Sequence, residues 1–344
     1  KRRKYMKKSF RNKLFAVSAV AVSSVLVLCG FDANLTSKDL LVKSTDAMAN
    51  APTQSITMKG TVDAVIETGS GDTAMSLPVK ADANIVAEYT TAPFNCHVSG
   101  NLAANAMQQA DLEFDMYLLQ QDDHSGIVYM KYSGMSDSAG WNAQAVPEEA
   151  IEELQESLNT PYAELIASAS SSTGMDCDAL VDSLLSDAAV APSAVNVNGK
   201  DCYEVSESVS GSEFAPLIDM VEGLAIDTEA ENVFDAFGGV AVMEIAKAIL
   251  GSIQMDVVSD FDAETFLPVY SSVDFTNTDF STIATLAGAV SGMSAGEEGF
   301  EIPQIRITAN ALKMEASYDP KKEVAIDPPA EARSVEVLPA SILA

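Results

Sequence analysis

The sequence predicts an α+β domain built mainly from antiparallel strands. Three observations lead there. Apolar and polar residues alternate with period two in run after run. Clusters of turn-forming residues separate the runs. Helical periodicity is confined to an opening segment, a central block and a short stretch before the last strand. The 344 residues are 47% hydrophobic, which excludes disorder of the whole chain and supplies a core.

The elements follow in order. Thr36-Ser37-Lys38-Asp39 forms a capping-box pattern, and Leu40, Leu41, Ala47, Met48 and Ala51 continue it as a helical stripe that Pro52 ends. From Ile56 the period becomes two, with Ile56, Met58, Gly60, Val62, Ala64 and Ile66 opposite Thr57, Lys59, Thr61, Asp63 and Glu67. Further strands are expected around Ala83 to Tyr89, Phe94 to Leu102, Leu112 to Leu118 and Ile127 to Tyr132. Gly69 to Asp72 and Asp122 to Gly126 supply turns.

Helical insertions are expected at about 147–190 and 213–250. Pro147-Glu148-Glu149 opens the first, with acids at the positive end of the helix dipole; Ile151, Leu154, Leu158, Tyr162 and Leu165 form its stripe, and Pro161 should kink it. A second helix is expected over 176–188, and strands resume at Val195 and Tyr203. Between Glu229 and Leu250 the pattern is apolar on nearly every side, so that helix must be covered, as core or as a lid over an apolar ligand. Strands return at Ile253 to Val257 and Leu267 to Phe275. A helix is expected over 280–290, then a long strand from Ile302 to Tyr318. In that strand Ile305, Ile307, Ala309 and Ala311 share a phase that Leu312, Met314, Ala316 and Tyr318 break, which predicts a bulge near Asn310.

Charge adds an address. Lys and Arg total 20 against 50 Asp and Glu, a net charge of -30, so the chain as a whole lacks the positive field that nucleic-acid binding requires and no nucleic-acid partner is expected. Eight of those cations fall in the first 13 residues, directly before the uncharged run Leu14 to Leu28. That is the pattern of an export signal. Residues 1–28 are therefore expected to be a signal peptide, 29–36 a lipid-anchored tether, and 37–344 a single domain. Leu26-Val-Leu-Cys29-Gly30 resembles the lipobox of bacterial lipoproteins, with Leu28 where Gly, Ala or Ser is usual. The resemblance implies that Cys29 carries a diglyceride (and palmitate) on the extracytoplasmic face of the cell membrane. An uncleaved membrane helix over 14–31 is the other reading. Of the remaining thiols, Cys96 is in phase with Phe94 and Val98, which favours burial. Cys177 and Cys202 are a candidate disulfide that export would permit, or all three thiols stay reduced.

A wider resemblance rests on four stretches. These are the helix Lys38 to Asn50 running into Ser55 to Gly60, Asn198-Gly-Lys-Asp-Cys-Tyr203 entering a strand, Phe261 to Val269 as strand, acidic turn and strand, and the ending Ile326-Asp-Pro-Pro-Ala-Glu-Ala332. Together they resemble LolA/LppX-like bacterial lipoproteins. The resemblance implies a strongly curved antiparallel half-open β-barrel with helices covering its concave side. It also implies non-catalytic binding of lipid or another hydrophobic ligand.

Acyl chains need apolar, adaptable walls, and methionine is flexible and polarizable. The candidate pocket residues are Met58, Val62, Phe94, Val98, Phe114 and Met116, with Met130, Phe237, Met243, Met255 and Met314. Ordinary core is the competing reading for each. No enzyme is expected. Gly292-Met-Ser294-Ala-Gly296 matches G-x-S-x-G but no His follows it; His97 and His124 read as solvated. No metal-ligand spacing or cofactor motif is present, and Asp260-Phe-Asp262-Ala-Glu264 lacks the glycine and distal glutamate of a calcium loop. Two functions from different classes stay open: a membrane-anchored hydrophobic-ligand carrier, and an envelope interaction or sensor module whose half-barrel is packed and ligand-free, its protein partner unknown.

Overall fold

In the computed structural model the described residues are 36–68, 75–106, 109–134, 140–174, 176–185, 188–191, 194–214, 248–249, 251–285, 305–320 and 322–339. The expected leader, Cys29, the Gly69 to Asp72 turn, most of the 213–250 insertion and the G-x-S-x-G stretch lie outside them. Among the described residues no helix is long and apolar enough to cross a membrane.

Helix α1 (Ser37–Ala49) starts as its capping box requires: the Asp39 N–H donates to Thr36 Oγ1 at 3.2 Å and the Thr36 N–H donates to Asp39 Oδ2 at 2.8 Å. Long strands then alternate with tight connections: β1 (Thr53–Thr68), β2 (Met75–Thr91), β3 (Phe94–Asn105), β4 (Gln109–Gln120), β5 (Gly126–Ser133) and β6 (Asn142–Val146). Helices α2 (Glu148–Asn159), α3 (Tyr162–Thr173) and α4 (Cys177–Leu184) follow. Pro161 does not kink one helix but separates two. It cannot donate to the preceding turn, and it pushes Thr160 into an extended conformation (φ −82°, ψ 121°). Without a side-chain cap of its own, α3 borrows one from α1, whose Asp46 Oδ1 accepts from the Tyr162 N–H at 3.0 Å. Lys38 of α1 ties α4 on, 2.7 Å from Asp178 and 2.9 Å from Asp182.

The chain continues through β7 (Ala189–Val190), β8 (Val195–Val197), β9 (Lys200–Ser210), β10 (Gln254–Asp262), β11 (Pro268–Asp274) and β12 (Ile305–Tyr318) to α5 (Ala330–Arg333) and β13 (Val337–Leu338). Among the described residues the thirteen strands form one sheet in the order β13-β6-β5-β4-β3-β2-β1-β12-β11-β10-β9-β7, with β8 on β9. Every pairing is antiparallel except β13 with β6. The result is an α+β fold: one large open antiparallel sheet with a few helices. The predicted bulge is present. Register shifts opposite Asp63/Ala64, where Asn310 is the extra residue. It returns Ile305, Ile307 and Ala309 to the face of Leu312, Met314 and Ala316, and it leaves Ala311 on the other one.

Strand parity assigns each residue to a face. The inner face carries α1, α3 and α4 over β9 to β11, where Leu41, Tyr162 and Val181 pack with Val205, Val257 and Phe261. It also carries α2 over β3 to β5, where Ile151 meets Phe94 and Leu118. Of the expected α2 stripe, Ile151 and Leu158 pack inward, whereas Leu154 is exposed because it projects away from the sheet. Gly126 lets α2 approach: a Cβ there would stand 2.7 Å from Ile151 Cδ1. On the outer face the chain after β12 forms a strap, in which Ala332 of α5 packs on Tyr129 and Ala143 before β13 adds to the sheet edge.

Candidate functional site

The inner face has two halves. Beyond those helices it continues toward Thr68 on β1 and Ile305 on β12, with the helical residues 280–285 at its β12 edge, where Ser281 Oγ donates to the Ile307 carbonyl at 3.3 Å and accepts from the Ile307 N–H at 2.9 Å. Reading across in register, Val62 faces Leu312 and Ala81, Ile66 faces Ile307 and Leu77, and Phe114 faces Tyr132. No ionised side chain falls on this face of β1 to β5 or β12 among the described residues. Lys59, Asp63, Glu67, Lys80, Asp82, Lys131, Lys313 and Glu315 all have the opposite parity. The surface is half-open rather than enclosed: Met314 is 60% exposed and Leu102 41%, with Tyr132 and Met75 also exposed. Apolar side chains brought together in this way cannot be satisfied by water, and contiguous exposed apolar patches mark binding surfaces.

The candidate residues fall on this same inner face. Met58, Val62, Val98, Phe114, Met116, Met130 and Met314 line its open stretch or its border with α2. Phe94 is buried beneath α2, and Met255 beneath the other helices, so both serve the packed half. Phe237 and Met243 lie outside the described residues.

The candidate disulfide is not formed: none of Cys96, Cys177 and Cys202 is in a disulfide. Parity explains why. Cys202 points to the outer face of β9, while α4, which carries Cys177, packs on the inner face through Val181 against Val205. Burial pushes both the Cys96 and Cys202 thiols up to about 11, the neighbouring Asp260 adding to the effect at Cys202, so both are unreactive.

The acidic stretch Asp260 to Glu264 divides between strand and turn. Asp262 Oδ1 accepts from the Glu264 and Thr265 N–H groups at 3.0 Å, which is a turn cap and not a cation loop. Asp260 is 3% exposed with Oδ1 unpartnered; burial, with Glu204 across the ladder, pushes its carboxyl up to about 6.

His124 is exposed in its turn, but His97 is not a solvated residue. Its Nε2 lies 2.8 Å from Asp115 Oδ1, and its ring stacks on Tyr117 with centroids 4.2 Å apart. Because a carboxylate only accepts, Nε2 carries the proton. Glu88 approaches Nδ1 at 3.7 Å and is itself bound at 2.5 Å by Lys322 of the strap, which holds Glu88 below the usual carboxylate range. These partners come from β2, β4 and the strap. Only strand register brings them together, so no local spacing reveals the cluster. Among the described residues no group of three or more His, Cys, Asp and Glu could hold a metal ion.

The fold and this face define an α+β protein with one large open antiparallel sheet, partly covered on its apolar face. No protein-family model matches the chain, and no curated protein matches it. Among solved structures it is similar to a DUF1329 family protein from Desulfovibrio piger, at 9% identity over 81% of this chain and 91% of that one, with a TM-score of 0.17. It is also similar to a β-barrel-like protein of the domain of unknown function DUF1849 from Brucella abortus, at 9% identity over 77% and 96%, with a TM-score of 0.17. Neither likeness assigns a family or an activity.

Proposed function

We propose that this protein is a LolA/LppX-like exported half-barrel that binds a lipid or another hydrophobic molecule on the open half of its inner face, without catalysis. In this reading a lipid on Cys29 holds it at the extracytoplasmic side of the membrane. The observation that carries the reading is the charge-free, half-exposed apolar surface across β12, β1, β2, β3, β4 and β5. Each methylene of an acyl chain laid on such a surface gains about 0.8 kcal/mol, so about ten of them gain roughly 8 kcal/mol before ordering costs. Every ionised side chain on those strands is turned away, so the chain meets no desolvated charge.

Native mass spectrometry of the full chain after gentle purification tests this. Co-purifying lipid is expected, lost in Val62→Asp and Val79→Asp, because each sets a carboxylate into the apolar surface. A bare polypeptide from the unsubstituted protein overturns it in favour of a ligand-free interaction module. The anchor is tested separately, by the mass of the mature N-terminus; a start anywhere other than an acylated Cys29 removes that part.

A further inference from the structure

The outer face carries a feature that the lipid reading does not use. On β3, β4 and β5 two rows of polar side chains, Ser99-Asp115-Lys131 and Asn101-Glu113-Ser133, stand in register across the strands. Between them runs the backbone of Gly100, Phe114 and Tyr132, whose own parity is inward, and the depression so formed has a volume of about 410 Å3. Alternate residues on a strand are roughly 7 Å apart and neighbouring strands roughly 5 Å, so the cleft is about one sugar ring wide and two strand spacings long.

Its groups are not consumed by one another. Lys131 stands across the ladder from Asp115 yet forms no ion pair among the described residues, because Asp115 is engaged by His97. The Lys131 ammonium lies instead 5.9 Å from the ring centroid of Trp141, which in turn lies 5.9 Å from Tyr117. Glu113 likewise has no ion-pair partner there, and Glu113 and Asn101 are exposed. The cleft therefore offers two carboxylate acceptors, one ammonium donor, and an amide and two hydroxyls that both donate and accept, with the Trp141 indole beyond Lys131 at one end.

We propose that this cleft is a saccharide-binding subsite that takes a neutral pyranose ring. Sugar hydroxyls donate and accept at once, which the mixed set of side chains matches. The C–H face of the ring suits the indole of Trp141, which stands beside Lys131 at the end of the cleft. Anionic sugars and nucleotides are disfavoured, because Glu113 and Asp115 outnumber Lys131.

Trp141 is the one tryptophan in the sequence, so its emission reports on this place alone. The full chain is titrated with glucose, galactose and N-acetylglucosamine, each to about 50 mM, above a dissociation constant on the order of 1 mM. A saturable change in Trp141 emission is expected with at least one sugar, weakened about tenfold or more in Asn101→Ala and Glu113→Gln. Both side chains are exposed, so melting temperatures should hold and a lost response is not lost folding. The proposal is overturned if no sugar gives a saturable change, or if both variants titrate with the original midpoint.

Discussion

The two halves of the inner sheet face are written in the same alternation yet end in different states. Under the helices, Phe261 is 0% exposed and Phe94 3%; on the other half Met314 and Leu102 hold their apolar side chains in water. Their strands are continuous: β3 begins at buried Phe94 and reaches exposed Leu102, and β12 passes from exposed Met314 to buried Ala316 within two residues. Alternation fixes which face a side chain joins. Whether that face is a core or a docking surface depends on what lies over it.

The contrast is broken or sharpened first by truncation. Phe261→Ala should lower the unfolding free energy by about 4 kcal/mol and Ile151→Ala by about 3, whereas Leu102→Ala and Met314→Ala should change it by less than about 0.5. Urea denaturation measures all four, and equal losses in both halves would show that the open half is covered. On the outer side of the helix-bearing region, Asp260 gives the next effect. Its carboxyl has an ordinary value of 3.8 and a folded value of about 6. The folded state therefore holds a proton that the unfolded chain releases, and stability falls as pH rises across that window. Asp260→Asn should be about 2 kcal/mol more stable than the parent at pH 7 and indistinguishable from it below about pH 3.5. A variant less stable at pH 7 would mean that Asp260 is satisfied after all.

A smaller effect lies at the helix contact. Gly126→Ala forces Ile151 aside and should cost about 1 to 2 kcal/mol, less than the Ile151 truncation because the clash is with the tip of a flexible side chain. The smallest is at the strap, where Lys322→Ala should cost about 0.5 to 1 kcal/mol, screened by salt, since its contact with Glu88 is partly exposed.

Much of the fold was legible because its signals are local. The α1 capping box and the bulge at Asn310 can each be read from a handful of neighbouring residues. Pro161 reads from the sequence as a kink in one helix, but its missing donor and its effect on Thr160 end one helix and begin another. The short β6 and β13 carry too few residues to show a period and exist by pairing with what is already there. The candidate site was half legible. Parity picked out the inner-face residues, but not that Phe94 and Met255 would be covered while Met314 would not. The His97 cluster and the outer cleft could not be found that way, since their members meet only across the ladder.

By itself the sequence determined the strand periodicity, the helix starts and the segregation of charge to one side of each strand, because each depends on residues one to four positions apart. Tertiary structure alone decided which strands pair, that Cys202 and α4 lie on opposite sides of the sheet, and how far the helices reach across the inner face. Those outcomes depend on contacts between residues tens to hundreds of positions apart, where register and packing, not spacing along the chain, set who meets whom.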